Sequence, residues 1–126
     1  MKKLLLLLFS LILSFNSYGE WSFVVKSTRS DEYYIDFDRI SNKNGYVYYW
    51  QLVNFPNPPN VSASSSKQLF EADCNNPYKE RRLAYYRYES AMGNGPVNAE
   101  QVLTLNWEYA PPNSITEVIL DEVCEY

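Results

Sequence analysis

Residues 46–55 predict the centre of a β-sheet. In an extended chain the side chains alternate between two faces, and here both sets are largely apolar: Tyr46, Tyr48, Trp50 and Leu52 against Val47, Tyr49, Gln51, Val53 and Phe55. A strand that is apolar on both faces is typical of a central position covered on at least one side. Turn signals bound it, with Asn42-Lys43-Asn44-Gly45 before it and a proline-rich segment at 56–60 after it.

Other segments have the composition of further strands. Aromatic residues make up 17% of the chain, and such residues fit a pleated, half-buried surface. The Gly93-Asn94-Gly95 segment precedes a proline and predicts a turn rather than a phosphate-binding loop. We expect strands at 21–26, 63–73, 82–88 and 102–107, an extended start at 33–40 that ends in a turn, and a loop at 92–96.

The end of the chain changes to a helical period. Ser114 and Glu117 form a capping-box pattern after Pro111-Pro112-Asn113, and apolar residues then recur at spacings of three and four. The sequence therefore predicts an α+β fold. An antiparallel sheet of about five to six strands carries one C-terminal α-helix packed on it.

The first nineteen residues have the pattern of a cleaved secretory signal. Lys2 and Lys3 precede an apolar run, and Ser17 and Gly19 place small residues before Glu20. An uncleaved anchor is the alternative, although the run is short for a membrane span. We expect a signal peptide at 1–19, a single domain at 20–126, and no transmembrane segment after cleavage.

The two cysteines, Cys74 and Cys124, predict one structural disulfide in an exported protein. The bridge would tie the C-terminal helix to the sheet. A redox-active or metal-binding pair is the alternative, and it is disfavoured because there is no Cys-x-x-Cys motif and no histidine. Neither cysteine directly follows the signal, so we expect no lipoprotein anchor.

The composition argues against an enzyme. Without histidine, Ser-His-Asp and Cys-His arrangements are absent, and we expect no catalytic residues, no metal site and no cofactor. Asp36 and Asp38 could form a carboxylate pair, but we interpret them as caps of the following turn. Removal of Lys2 and Lys3 leaves nine basic against fifteen acidic residues, a net charge of −6, which disfavours nucleic acid as a partner.

One basic concentration stands out in this acidic chain, where Lys79, Arg81, Arg82 and Arg87 alternate with tyrosines. Tyrosine and arginine are enriched in binding hot spots. The alternative is a solvated strand face whose arginines pair with nearby acids. On regular alternation Arg82, Ala84, Tyr86 and Tyr88 share one face. The candidate protein-contact surface comprises Tyr78, Arg82, Tyr86, Arg87 and Tyr88.

The order of motifs along the chain resembles the surface-adhesin protein E-like family of small exported proteins from Gram-negative bacteria. Individually each motif is weak, and the ordered set carries the resemblance. The motifs are Glu20-Trp21, Tyr34-Ile35-Asp36, Gly45, Val47-Tyr48-Tyr49-Trp50, Ser65-Ser66-Lys67, Glu71-x-Asp73-Cys74, Arg81-x-Leu83, Met92-Gly93-x-Gly95, Trp107, Pro111-Pro112-x-Ser114 and Cys124.

The resemblance implies an antiparallel sheet with a disulfide-tied C-terminal helix, and an exported adhesin that binds host extracellular-matrix proteins. We therefore expect a non-enzymatic binding module that contacts host or envelope proteins, located in the periplasm or at the cell surface. A periplasmic accessory protein of the envelope with no adhesive ligand is the alternative, and an enzyme is the least favoured. The sequence indicates neither a ligand nor an oligomeric state.

Overall fold

A computed structural model of the chain describes residues 20–56, 63–99 and 106–126, without the side chains of residues 98 and 99. The predicted signal peptide at 1–19 lies outside these ranges, and so do residues 102–105 of the strand predicted at 102–107. Asn106 and Trp107, which are described, lie outside the strands.

The described residues form one antiparallel sheet in the order β1-β2-β4-β5-β6-β7. The six-strand path agrees with the predicted sheet, and two short strands extend it, β3 against β4 and β8 against β6. The strands are β1 Ser22–Lys26, β2 Glu32–Ile35, β3 Ser41–Lys43, β4 Tyr46–Asn54, β5 Ser65–Asp73, β6 Lys79–Tyr88, β7 Val97–Ala99 and β8 Glu108–Tyr109.

β4 is the central strand that its apolar faces predict. β5 pairs along one of its edges, while β2 and β3 share the other. A short 3-10 helix at Phe37–Arg39 separates β2 from β3, so the segment predicted as an extended start followed by a turn is confirmed. β7 was not anticipated, because its three residues lie directly after the loop and show no extended alternation.

Helix α1, Ile115–Glu125, begins after Ser114, whose Oγ accepts the N–H of Glu117 at 3.1 Å. In a capping box the Glu117 carboxylate would accept the N–H of the cap residue Ser114. Here it accepts the N–H of Asn113, one residue earlier, at 3.2 Å. The predicted helix is confirmed. No helix in the described part of the chain has the length and apolar character needed to cross a membrane.

The hydrophobic core lies between α1 and one side of the sheet, here called the inner face; the opposite side is the outer face. Three buried residues of α1 pack against buried side chains from β2, β4 and β5. The predicted disulfide between Cys74 and Cys124 is present, with the two Cα atoms 5.6 Å apart, and it joins the end of β5 to the last turn of α1. The core residues are Ile119, Leu120 and Val123 with Ile35, Val47, Tyr49, Phe70 and Ala72.

A β-bulge in β6 overturns one sequence expectation. Leu69 of β5 pairs with Ala84 whereas the next residue, Phe70, pairs with Arg82, so Leu83 is the extra residue on β6. A bulge reverses the alternation of side chains beyond it. Arg82 therefore lies on the inner face while Ala84, Tyr86 and Tyr88 lie on the outer face, and the predicted shared face is wrong.

Candidate binding site

On the outer face, aromatic side chains of β4 and β6 flank a lysine of β5, the strand between them. Trp50 of β4 and Tyr86 of β6 stack across β5, with ring centroids 6.3 Å apart and planes 27° from parallel. Lys67 of β5 pairs in register with Tyr86 and with Leu52 of β4. Its side chain is therefore on the same face as Trp50 and Tyr86.

These residues line a cavity of about 360 Å³, here called the aromatic cavity. It combines four aromatic rings with four charged side chains, two acidic and two basic. Cavities of this size are at the small end of ligand-binding sites, which span roughly 300–1,000 Å³. Its lining comprises Trp21, Trp50, Tyr86, Tyr88, Glu20, Asp36, Arg39, Lys67 and Val97.

Lys67 is held between two aromatic rings of the cavity. Its Nζ lies 4.9 Å from the ring centroid of Tyr88 and 5.8 Å from that of Trp21. Both distances are within the range of a cation–π interaction. Burial, with a smaller contribution from Tyr86, raises the pKa of Tyr88 above its ordinary value, so the phenol stays neutral at physiological pH.

The short 3-10 helix at Ala91–Gly93 covers part of the outer face and passes close to Lys67. The N–H of Gly93 donates to Oγ of the fully buried Ser65 at 2.8 Å, and this hydroxyl donates to the carbonyl of Ser90 at 2.7 Å. An added Cβ at Gly93 would lie only 2.4 Å from Cε of Lys67. The glycine therefore allows this segment to pack against the lysine side chain.

Asp36 supplies a buried carboxylate, 1% exposed, to the cavity. One oxygen accepts the N–H of Asp38 at 3.2 Å, and the other lies 3.2 Å from Nε of Arg39. Arg39 also approaches Glu20 at 3.6 Å. Burial raises the pKa of Asp36 and Arg39 opposes the shift. The capping role predicted for Asp36 is confirmed, whereas that predicted for Asp38 is wrong, because Asp38 lies within the 3-10 helix and supplies the N–H that Asp36 accepts.

The structure divides the predicted contact surface between the two faces. Tyr86 and Tyr88 line the aromatic cavity, whereas Arg82 stacks on Tyr85 at 4.8 Å and donates to Gln68. Arg87 pairs with Ser66, which places it on the inner face beyond the bulge. Tyr78 borders a separate open groove beside α1.

Two other basic residues of β6 pair with acids, as the alternative interpretation expected. Arg81 forms an ion pair with Glu71 at 2.6 Å, and Lys79 approaches Asp73 at 3.8 Å. Both cations also lie over the ring of Trp107, at 4.8 and 5.3 Å respectively. Their charges are therefore largely satisfied within the protein.

Sequence reasoning missed Trp21, Lys67 and Gly93 as parts of a site, and it used Trp50 only as a strand residue. Alternation in β4 and β5 could have placed Trp50 and Lys67 on one face. The contribution of Gly93 depends on the close approach of a loop, for which a sequence has no local signal.

On the inner face, Glu80 accepts a hydrogen bond from the hydroxyl of Tyr49 at 2.5 Å. Burial raises the pKa of Glu80 from 4.5 to about 7, with a smaller contribution from Glu108. Burial and the neighbouring Glu80 raise the pKa of Tyr49 well above 10. Burial therefore stabilises the protonated carboxyl of Glu80, whereas the hydrogen bond donated by the Tyr49 hydroxyl favours its charged form and opposes the rise in pKa.

Within the described ranges, no group of three His, Cys, Asp or Glu side chains could hold a metal ion. The aromatic cavity is suited to binding, since its rings offer contact area and its charged groups offer hydrogen bonds.

Comparison with known proteins identifies a matching family model and several similar structures. A family model described as surface-adhesin protein E matches residues 21–125. No curated protein matches the chain. Crystal form II of Haemophilus influenzae protein E is similar with a TM-score of 0.66 and 20% identity, covering 85% of this chain and 88% of that one.

Two further structures of protein E agree. Another H. influenzae protein E structure has a TM-score of 0.63 and 21% identity over 85% of each chain. Protein E from non-typeable H. influenzae has a TM-score of 0.63 and 20% identity, covering 85% of this chain and 76% of that one. At these identities the structural likeness establishes a common fold.

Proposed function

This chain belongs to the surface-adhesin protein E family, and from that premise we propose that it is an exported, non-catalytic binding protein. Its partner is a protein of the host extracellular matrix or of the bacterial envelope. The outer face is the docking surface, and residues 20–126 form the single exported domain.

The aromatic cavity is the observation that carries this proposal. Tyrosine and tryptophan provide large, rigid contact areas at low cost in conformational entropy, which is why binding surfaces are rich in them. Here four such rings line one cavity with Lys67, whose ammonium group lies over the rings of Trp21 and Tyr88. By contrast, Arg81 and Lys79 are occupied by acids and by Trp107.

The two faces of the sheet provide a direct test. We expect a Trp50→Ala/Tyr86→Ala variant to bind immobilised matrix or envelope proteins at least tenfold more weakly than the wild type, as for hot-spot residues. The matched Arg82→Ala/Arg87→Ala variant, altered on the inner face, should retain binding. Surface plasmon resonance against a panel of purified proteins measures both.

Circular dichroism of each variant controls for folding. Loss of binding only in the arginine variant would move the docking surface to the inner face. If the folded wild type binds none of the matrix or envelope proteins in the panel, the adhesive proposal fails. The role of a periplasmic accessory protein then remains.

A further inference from the structure

The walls of the aromatic cavity match one face of a sugar ring. Trp50 and Tyr86 form a stacked apolar platform, and Trp21 and Tyr88 extend the aromatic lining. The C–H bonds on one face of a pyranose carry partial positive charge. They pack against the electron-rich face of an aromatic ring, through the same quadrupole that attracts cations.

The polar groups of the cavity match the hydroxyl groups around that ring, which both donate and accept hydrogen bonds. The Glu20 side chain is 46% exposed and has Arg39 at 3.6 Å from one oxygen, while a carboxylate offers about four acceptor positions, so acceptor capacity remains at the cavity. Lys67 has three N–H donors. Among the described residues its ammonium contacts two rings and forms no ion pair or hydrogen bond.

The charge of the cavity distinguishes between classes of ligand. The side chains of Glu20 and Asp36 balance those of Arg39 and Lys67, so the formal charge of the lining side chains is zero. A carboxylate ligand near Lys67 would also approach Glu20 and Asp36, and a cationic ligand would approach the two basic groups. Neither sign of charge is matched by the lining as a whole.

The geometry points to a carbohydrate-binding site in the aromatic cavity, which accepts one neutral pyranose unit of a glycan. The volume of about 360 Å³ suits a single sugar unit rather than a long chain. This inference goes beyond the proposed function, because a sugar unit can be bound whether or not a protein also docks on the outer face.

The test is a titration of the isotope-labelled protein with methyl glycosides, followed by NMR. The probes are the methyl glycosides of glucose, galactose, mannose and N-acetylglucosamine, with those of glucuronic acid and glucosamine as charged counterparts. At least one neutral glycoside should shift the indole N–H signals of Trp21 and Trp50 with a dissociation constant on the order of 1 mM. Trp107, outside the cavity, is the internal reference.

Two variants with matched controls identify the site. Trp50→Ala should weaken binding at least tenfold whereas Trp107→Phe should not, and Lys67→Met should weaken it whereas Lys43→Met on β3 should not. The charged glycosides should bind about tenfold more weakly than their neutral counterparts.

The inference is overturned if no neutral glycoside shifts Trp21 or Trp50, or if folded Trp50→Ala binds as well as the wild type. Stronger binding of glucuronic acid than of glucose would overturn the assignment to a neutral ligand. These outcomes are independent of the protein-binding measurements, so either proposal can fail alone.

Discussion

Gly93 determines how closely the Ala91–Gly93 segment approaches the outer face. Its φ is +70°, and an added Cβ would lie 2.4 Å from Cε of Lys67 and 3.2 Å from Cδ1 of Leu52. Gly45 is a natural control, because its φ is +83° and an added Cβ would have no neighbour within 4 Å. The two positions therefore share the backbone cost but not the steric contact.

We expect Gly45→Ala to lower the free energy of unfolding by about 1 kcal/mol, the cost of a left-handed conformation for alanine. Gly93→Ala should lower it further, since Lys67 must also move. Urea unfolding of both variants measures the difference. Equal losses in the free energy of unfolding would show that the Lys67 side chain can move aside without destabilising the protein.

Glu80 makes stability depend on pH. Its pKa is about 7 in the folded protein and near 4.5 when exposed, so the folded state binds the proton more tightly. The resulting stabilisation is fully present below pH 4.5 and is lost as pH rises through about 7.

Glu80→Gln should therefore reduce the decline in stability between pH 5 and pH 8, because glutamine stays neutral and can still accept the Tyr49 hydrogen bond. The melting temperature at several pH values tests this expectation. Glu122→Gln on the exposed side of α1 is the control. If the melting temperature of Glu80→Gln depends on pH in the same way as that of the wild type, the expectation is wrong.

At the scale of elements, β6 shows why the site was only partly predictable. Period-two alternation placed β4 and its apolar faces correctly, and capping plus helical spacing placed α1. Nothing local marks Leu83 as a bulged residue, because a bulge reflects how β5 and β6 pair. Because of this one extra residue, Arg82 lies on the opposite face of the sheet from Tyr86 and Tyr88. The predicted contact surface is therefore divided between the two faces.

The disulfide is the second feature at this scale, since it joins α1 to the end of β5. The bridge closes a loop of 50 residues, and on the chain-entropy model such a loop contributes roughly 4 kcal/mol. An isolated helix of 11 residues is marginal, so α1 depends on this link and on its buried face.

Replacing both Cys74 and Cys124 with alanine should lower the free energy of unfolding by about 2–5 kcal/mol. Thermal unfolding with and without reductant measures the effect, and the double variant should be insensitive to reductant. If reduction leaves the wild-type melting temperature unchanged, the bridge does not contribute to stability.

At the scale of the whole molecule, the sheet order and the position of the helix follow from patterns spread along the sequence. The aromatic cavity does not, because the two residues before β1, the Phe37–Arg39 helix with its cap, the three central strands and β7 meet only after folding. Sequence alternation identifies which side chains share a strand face, but it contains no information on distances between strands that are remote in the chain.

The predicted signal peptide ends directly before two residues that line the aromatic cavity, Glu20 and Trp21. Glu20 lies 3.6 Å from Arg39, and Trp21 forms part of the aromatic lining. We expect cleavage after Gly19 to leave Glu20 as the first residue of the exported protein. Intact mass of the exported protein measures this.

Protease treatment of intact cells, with a periplasmic marker as control, distinguishes the cell surface from the periplasm. Degradation by external protease favours adhesion, whereas release only by osmotic shock would contradict surface display.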